Sequence, residues 1–208
     1  MKLVLFGATG HIGSHVLRLA RERGHEVSVL VRSPAKLPAD AAAESQVLLG
    51  SLLDPVLVGR ACQGAEAAIV TLAAGNGLLA RFDAVALPLF EQQGPKRVVS
   101  MVGASVRMPG DPDSLGLGLM TAMMRMVPGA LLEDAEGHAR RLAASSLDWT
   151  LVRSSNFSTA EPTGRVVARL DQDLPLTASI TRADLADFIV TTATGGHYLH
   201  QAPMVANG

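Results

Sequence analysis

Gly7-Ala8-Thr9-Gly10-His11-Ile12-Gly13-Ser14-His15, directly after the apolar run Lys2-Leu3-Val4-Leu5-Phe6, is the stretch that decides the fold. A buried strand ends in three glycines spaced three apart, and a helical pattern starts at once. This spacing suits the pyrophosphate of a dinucleotide. Gly7 permits the tight strand-to-helix turn, Gly10 lets the backbone approach phosphate with no Cβ in the way, and Gly13 allows close helix–strand packing. The amides at the start of the helix face the negative charge. Three glycines alone are weak evidence. Here they have the required context, a strand before and an amphipathic helix after.

Outward from this point the chain alternates strand-like and helix-like stretches, the pattern of a parallel sheet covered on both faces. In the first helix Ile12, Val16, Leu19 and Ala20 form an apolar stripe, Arg18, Arg21, Glu22 and Arg23 form the wet side, and Gly24 ends it. Further strands are expected over 27–31, 46–49, 67–72, 97–102 and 149–152, with a last one over 203–205. Helices are expected over 54–62, 79–93, with Pro88 as a kink, and 134–144. A helix capped by Thr181, with Asp184 three residues on, runs to about 192. A β-rich piece covers about 165–176.

The fold class predicted is α/β, a Rossmann-type doubly wound parallel sheet with helices on both faces. It is a single domain over 1–208. Residues to about 150 form the cofactor core, and the remainder forms a small C-terminal substrate-side appendage, too short for an independent domain.

Composition narrows the function classes. The 208 residues are 48% hydrophobic and 18% charged, the balance of a globular protein. A net charge of −1 gives no electrostatic reason to expect a nucleic-acid or anionic-membrane partner. No apolar run reaches the ~20 residues that span a bilayer. Cys62 is the only cysteine, which excludes an intramolecular disulfide and fits a reducing cytoplasm. No signal peptide is visible at the N-terminus. The expected partner is a small-molecule acceptor, with the chain acting as monomer or homodimer.

NAD-binding versions of such a fold carry a carboxylate about 20 residues past the glycines to hold the ribose hydroxyls. The second strand here ends in Val31-Arg32-Ser33-Pro34-Ala35-Lys36, with no Asp or Glu. Arg32 can stack on adenine and pair with a 2′-phosphate, Ser33 can donate a hydrogen bond, and Lys36 adds charge. The expectation is NADP(H) in preference to NAD(H), against the alternative of a solvated basic loop.

With these residues in place, the chain resembles the atypical short-chain dehydrogenase/reductase superfamily. More narrowly it resembles the NAD(P)H-binding branch of flavin reductase (biliverdin-IXβ reductase) and NmrA-like proteins. Three later stretches carry the likeness further: Leu49-Gly50-Ser51-Leu52-Leu53-Asp54, Leu147-Asp148-Trp149-Thr150-Leu151-Val152-Arg153 and Ile180-Thr181-Arg182-Ala183-Asp184-Leu185-Ala186.

The resemblance implies roles by position. Gly7, Thr9, Gly10, His11, Ile12 and Gly13 would wrap the pyrophosphate. Ser51 and Leu52 would border adenine, although Ser51 stands where many members have Asp. Leu72, Ala73 and Ala74 would line the nicotinamide-side ribose. Gly103, Ala104 and Ser105 would flank the nicotinamide, and Ser154, Ser155 and Asn156 would meet its carboxamide edge.

One departure bears on mechanism. Typical short-chain dehydrogenases use Tyr-x-x-x-Lys as the acid and its holder. The only tyrosine here is Tyr198, and the expected place reads Glu133-Asp134-Ala135-Glu136-Gly137-His138-Ala139-Arg140. Flavin-reductase relatives also lack the pair, and their protein mainly orients the cofactor in an apolar site. Two activities follow: an NADPH-dependent reductase of a flavin, quinone or similar conjugated acceptor, or a non-catalytic NADP(H)-binding redox sensor of NmrA-like type.

Two catalytic candidates remain. His138 is either a proton donor or a helix-surface histidine. Ser105 either bonds substrate or closes a loop onto its own backbone. Arg153 is either a ligand contact or a structural ion pair, and Cys62 is read as inert core. His197 and His200 lack metal-ligand partners, so no metal site is expected. The Met-rich stretch 115–127 is either a mobile lid or a core or dimer-contact helix, and in both cases it should overhang the nicotinamide end.

Overall fold

The computed structural model describes the chain except residues 44, 112–114, 128–129, 155, 172–173 and 176, with backbone alone at 41, 42, 115–117 and 120. Parallel strands β1 (Lys2–Phe6), β2 (Glu26–Val31), β3 (Gln46–Leu49), β4 (Ala67–Val70), β5 (Arg97–Gly103) and β6 (Asp148–Ser154) lie in the order 3-2-1-4-5-6. That is the Rossmann order, with its switch point beside β1. Beyond β6 the sheet continues through β10 (Met204–Asn207), parallel to β6, to β8 (Val166–Arg169), which is antiparallel to β10. A separate parallel pair joins β7 (Asn156–Ser158) to β9 (Ser179–Thr181).

Alternation along the strands divides the core. Leu3, Leu5, Val29, Ile69, Val99 and Val152 face one layer, made by α1 (His11–Glu22) and α7 (Arg182–Gly195). Val4, Phe6, Leu30, Val70, Val98 and Leu151 face the other layer, made by α3 (Pro55–Cys62), α4 (Leu78–Gln93) and α6 (Leu131–Ala143). The cap expected at Thr181 is present, and Asp54 makes another. Asp54 accepts from the amides of Val56 and Leu57 at the start of α3. Thr181 accepts from the amide of Asp184 at the start of α7. Cys62 is buried against α3's neighbours, and that burial pushes its thiol up to about 12.

The portion beyond residue 150 is less separate than the sequence suggests. Leu185, Ala186, Ile189 and Val190 of α7 are buried in the same core as β1. Arg97 of β5 donates to the carbonyls of Thr192 and His197 near the end of α7. This C-terminal portion therefore completes the central fold. The reading left out the 3-10 turn Pro34–Lys36, the short helix α2 (Ala39–Ala43), β7 and β9, all too brief to carry a periodic signal.

The Met-rich stretch forms α5 (Leu115–Arg125), which packs on α6. Met124 touches the α3/α4/α6 core, while Met123 and Met126 are exposed. None of the described residues of this helix lines the chamber described below.

A carboxylate on α6 fixes the start of α4. The Asp134 oxygens accept from the amides of Gly75 (2.9 Å), Leu79 (3.1 Å) and Ala80 (3.0 Å). Gly75, Asn76 and Gly77 all have positive φ, so this corner is a left-handed loop that needs an anchor. Burial by itself would raise the Asp134 carboxyl. The three amide bonds, helped by the charge of Arg141, outweigh it and hold the group below the usual carboxylate range.

Because the folded value is depressed, this stabilisation is present above about pH 4 and is lost as pH falls further. Asp134→Asn places an NH2 against an amide N–H and should cost about 1–3 kcal/mol at neutral pH. Thermal melts should show the gap between wild type and variant narrowing below about pH 4. A gap that is constant from pH 7 to pH 3 would refute the charge-based anchor.

Candidate active site

The glycine turn sits at the carboxyl end of β1, in the middle of the sheet. Gly7 has φ +99°, and a Cβ there would lie 2.7 Å from Thr71 Oγ1 and 2.8 Å from the Thr71 carbonyl. At Gly13 a Cβ would fall 2.0 Å from the Gly7 carbonyl oxygen. These two glycines are therefore demanded by backbone packing against backbone. Gly10 differs: its Cβ would meet only the Gly7 oxygen, at 3.3 Å, and its outer side is open. The Gly10 amide donates to the Gly7 carbonyl at 2.9 Å, closing the turn. Among the described residues no side chain caps the start of α1, so its first amides are offered outward.

A cavity of about 590 Å³ opens over this turn. Of the positions read from sequence, it gathers Gly7, Thr9, Gly10, His11, Ile12, Arg32, Ser51, Leu52, Leu72 and Ala73 in one wall system. Gly13 stands directly behind, packed on Gly7. Ser33 and Lys36 lie on the single 3-10 turn after β2, beyond the lining, with Lys36 exposed. Ala74 packs toward the α3/α4 core. The Ser51 hydroxyl accepts from the Leu53 amide at 3.1 Å, so it closes its own turn.

At the far end, Gly103 and Ser154 are paired across β5 and β6, and the Ala104 amide donates to the Ser154 carbonyl. Among the described residues the buried Ser154 hydroxyl has no hydrogen-bond partner, and it lies on the sheet face shared by Met101, which lines the cavity. An orphaned hydroxyl beside a ligand chamber suits a polar edge such as a carboxamide. Asn156 is turned elsewhere: its side-chain amide donates to the Ala178 carbonyl at 3.1 Å. Ser155 lies outside the described residues.

Neither catalytic candidate lines the cavity. His138 is 1% exposed, bonded to Ser100 Oγ at 2.7 Å and to Asp83 Oδ1 at 2.8 Å, and Asp83 also accepts from Arg141. It is thus neither a surface histidine nor a donor within reach of a ligand; it ties α6 to α4 and β5. Alone it gave no signal of this, because its two partners are distant in sequence. Ser105 is buried and its carbonyl accepts from Thr121, which anchors α5. Arg153 is structural as well. Its guanidinium donates to the Ala202 carbonyl and to Asp111 Oδ2 at 2.6 Å, clamping the loop after β5.

Where a Tyr-x-x-x-Lys pair would stand, α6 turns Asp134 and His138 inward at the same spacing of four. Both are occupied by structural bonds.

The sequence reading missed Leu53, Leu78, Arg81, Met101, Phe157 and Arg182 as lining residues, along with Ala8, Leu30, Val31 and Thr71 at the strand ends. Phe157 is 44% exposed, an aromatic left on the surface beside the chamber. The start of α7 brings Arg182 close to α1: His15 is held below its ordinary pKa by burial first, then by Arg18 and Arg182. All formally charged side chains in the lining are arginines, Arg32, Arg81 and Arg182, in a protein of net charge −1. The chamber is electropositive, uncapped at the helix start and partly apolar, a fit for an anionic dinucleotide.

Comparison with known proteins agrees with this geometry. ChuY, an anaerobillin reductase from Escherichia coli O157:H7, is 19% identical over 100% of this chain and 97% of its own, with a TM-score of 0.78. A protein from Streptococcus pneumoniae, provisionally named an NADH-flavin reductase, is 21% identical over the whole of both chains, with a TM-score of 0.77. A short-chain dehydrogenase/reductase from Veillonella parvula, solved with NADP, is 14% identical over 99% of this chain and 94% of its own, with a TM-score of 0.81. Residues 7–195 match the family described as NAD(P)H-binding. With its glycine cradle and arginine-lined chamber, the chain belongs to that NAD(P)H-binding family.

Proposed function

We propose that this protein is an NADPH-dependent oxidoreductase that passes hydride to a flavin, quinone or similar conjugated acceptor. It works in the cytoplasm as a monomer or homodimer. The observation that carries the reading is the chamber itself, in which a glycine cradle without a side-chain cap meets only positive charge. NADP(H) over NAD(H) is supported by Arg32 at the end of β2, where no carboxylate stands to hold a 2′-hydroxyl. The likeness to a reductase of anaerobillin and to a provisional flavin reductase supports a flat conjugated acceptor.

The residues divide the work by position. Gly7, Gly10 and the first amides of α1 bind the pyrophosphate, and Arg32 holds the adenosine end. Leu72 and Ala73 border the sugar beyond, and Met101, Phe157 and the Ser154 hydroxyl face the nicotinamide end. When bound, the nicotinamide supplies the hydride. Met101 and Phe157 offer apolar and aromatic surface on which a flat acceptor can lie, which favours alignment of the two rings. No carboxylic acid or phenol among the described lining residues replaces the missing tyrosine, and His11 lies in the glycine turn, so this reading takes the proton on the reduced acceptor from water. The protein's contribution is orientation and partial exclusion of solvent.

Arg32→Glu should weaken NADPH about tenfold or more while changing NADH only slightly, read by cofactor titration. Equal loss for both cofactors would show that Arg32 does not read the phosphate. NADPH oxidation followed with FMN, FAD and a panel of quinones should exceed the enzyme-free rate with at least one acceptor. Tight NADPH binding with no turnover across the panel would instead favour the redox-sensor reading, in which the cofactor state biases partner affinity.

A further inference from the structure

The arginine at the start of α4 has no role in the fold described above. Helices α3 and α4 both begin at the carboxyl end of the sheet and pack side by side. Leu52 and Leu53, just before α3 and beside the end of β2, and Leu78 and Arg81, in the first turn of α4 after β4, therefore form one wall of the chamber that reaches across the end of β1. A cation in the first turn of a helix opposes the macrodipole and is disfavoured there. No acidic residue stands in that first turn.

Among the described residues the Arg81 guanidinium has carbonyl partners only, Gly77 O at 3.3 Å and Asn76 O at 3.4 Å. Those long bonds tether it across the corner that Asp134 anchors. The result is a planar cation tethered beside leucines on the chamber wall.

We infer that Arg81 holds the adenine ring, its guanidinium stacking on the base while the leucines of the same wall cover the rest of that surface. A flat, delocalised, weakly hydrated cation next to apolar side chains suits an aromatic ring better than it suits a phosphate. The charge that reads the 2′-phosphate comes from the end of β2, where Arg32 stands. The two arginines thus divide the adenosine end: Arg81 provides affinity common to both pyridine nucleotides, and Arg32 provides the choice between them. The inference rests on the reading of this chamber as a pyridine-nucleotide site.

Calorimetry with 5′-ADP and 2′,5′-ADP tests it without any turnover. Arg81→Ala should weaken both ligands about tenfold, the loss of one stacking partner, and leave their ratio unchanged. Arg81→Lys, which keeps the charge and loses the plane, should be nearly as weak as the alanine variant. Arg81 is exposed, and a thermal melt checks that both variants fold. Rescue by lysine, or a loss confined to 2′,5′-ADP, would overturn the stacking role. Unchanged binding in Arg81→Ala alongside normal wild-type affinity would remove Arg81 alone. Absence of binding by the wild type would sink the nucleotide reading as well.

Discussion

At the turn after β1 two pieces of backbone pack so closely that a methyl group on Gly13 would fall 2.0 Å from the Gly7 carbonyl oxygen. That contact lets α1 leave β1 at once and lie against the sheet. It sets the direction of the helix axis and therefore where the first amides point. Thr71 closes the turn from β4, its hydroxyl donating to the Phe6 carbonyl at 3.2 Å and its backbone touching Gly7. Backbone geometry, rather than any charged side chain, creates the anion cradle.

Around this turn, buried carboxylates position backbone instead of doing proton chemistry. Asp134 holds the left-handed corner before α4 through three amides. Asp184 does comparable work at the start of α7. Burial alone would raise its carboxyl, but the amides of Thr163 and Gly164 and the side chains of Asn207 and Thr181 hold it low. Asp83 binds His138 and Arg141 under β5. Each of these groups is consumed by the fold. The described lining of the chamber is left with arginines, one histidine, the hydroxyls of Thr9, Ser51 and Thr71 and apolar surface, with no carboxylate, an environment for binding and orienting an anionic cofactor.

Much of this was legible in the residues. The glycine spacing, the Thr181 cap and the strand pattern gave the sheet and the helices that flank it, because strong periodicity and local capping are properties of short segments. Ten residues read as cofactor contacts do line one chamber. The failures have a common cause. His138 and Ser105 looked reactive by residue type, but their partners, Asp83, Ser100 and Thr121, lie 55, 38 and 16 positions away. Asn156 looked available until β7 paired with β9 and its amide turned to Ala178.

The sequence by itself determined the class of fold and the position of the phosphate cradle, since both follow from hydrophobic period and from glycines whose role is local. Only the tertiary structure decided which polar groups remain to meet a ligand. Hydrogen bonding of buried groups is an accounting over the whole chain, and a side chain is available for chemistry only after distant backbone has made its claims. That is why Arg81 and Phe157, unremarkable in the sequence, stand in the chamber, while His138 lies sealed beneath β5.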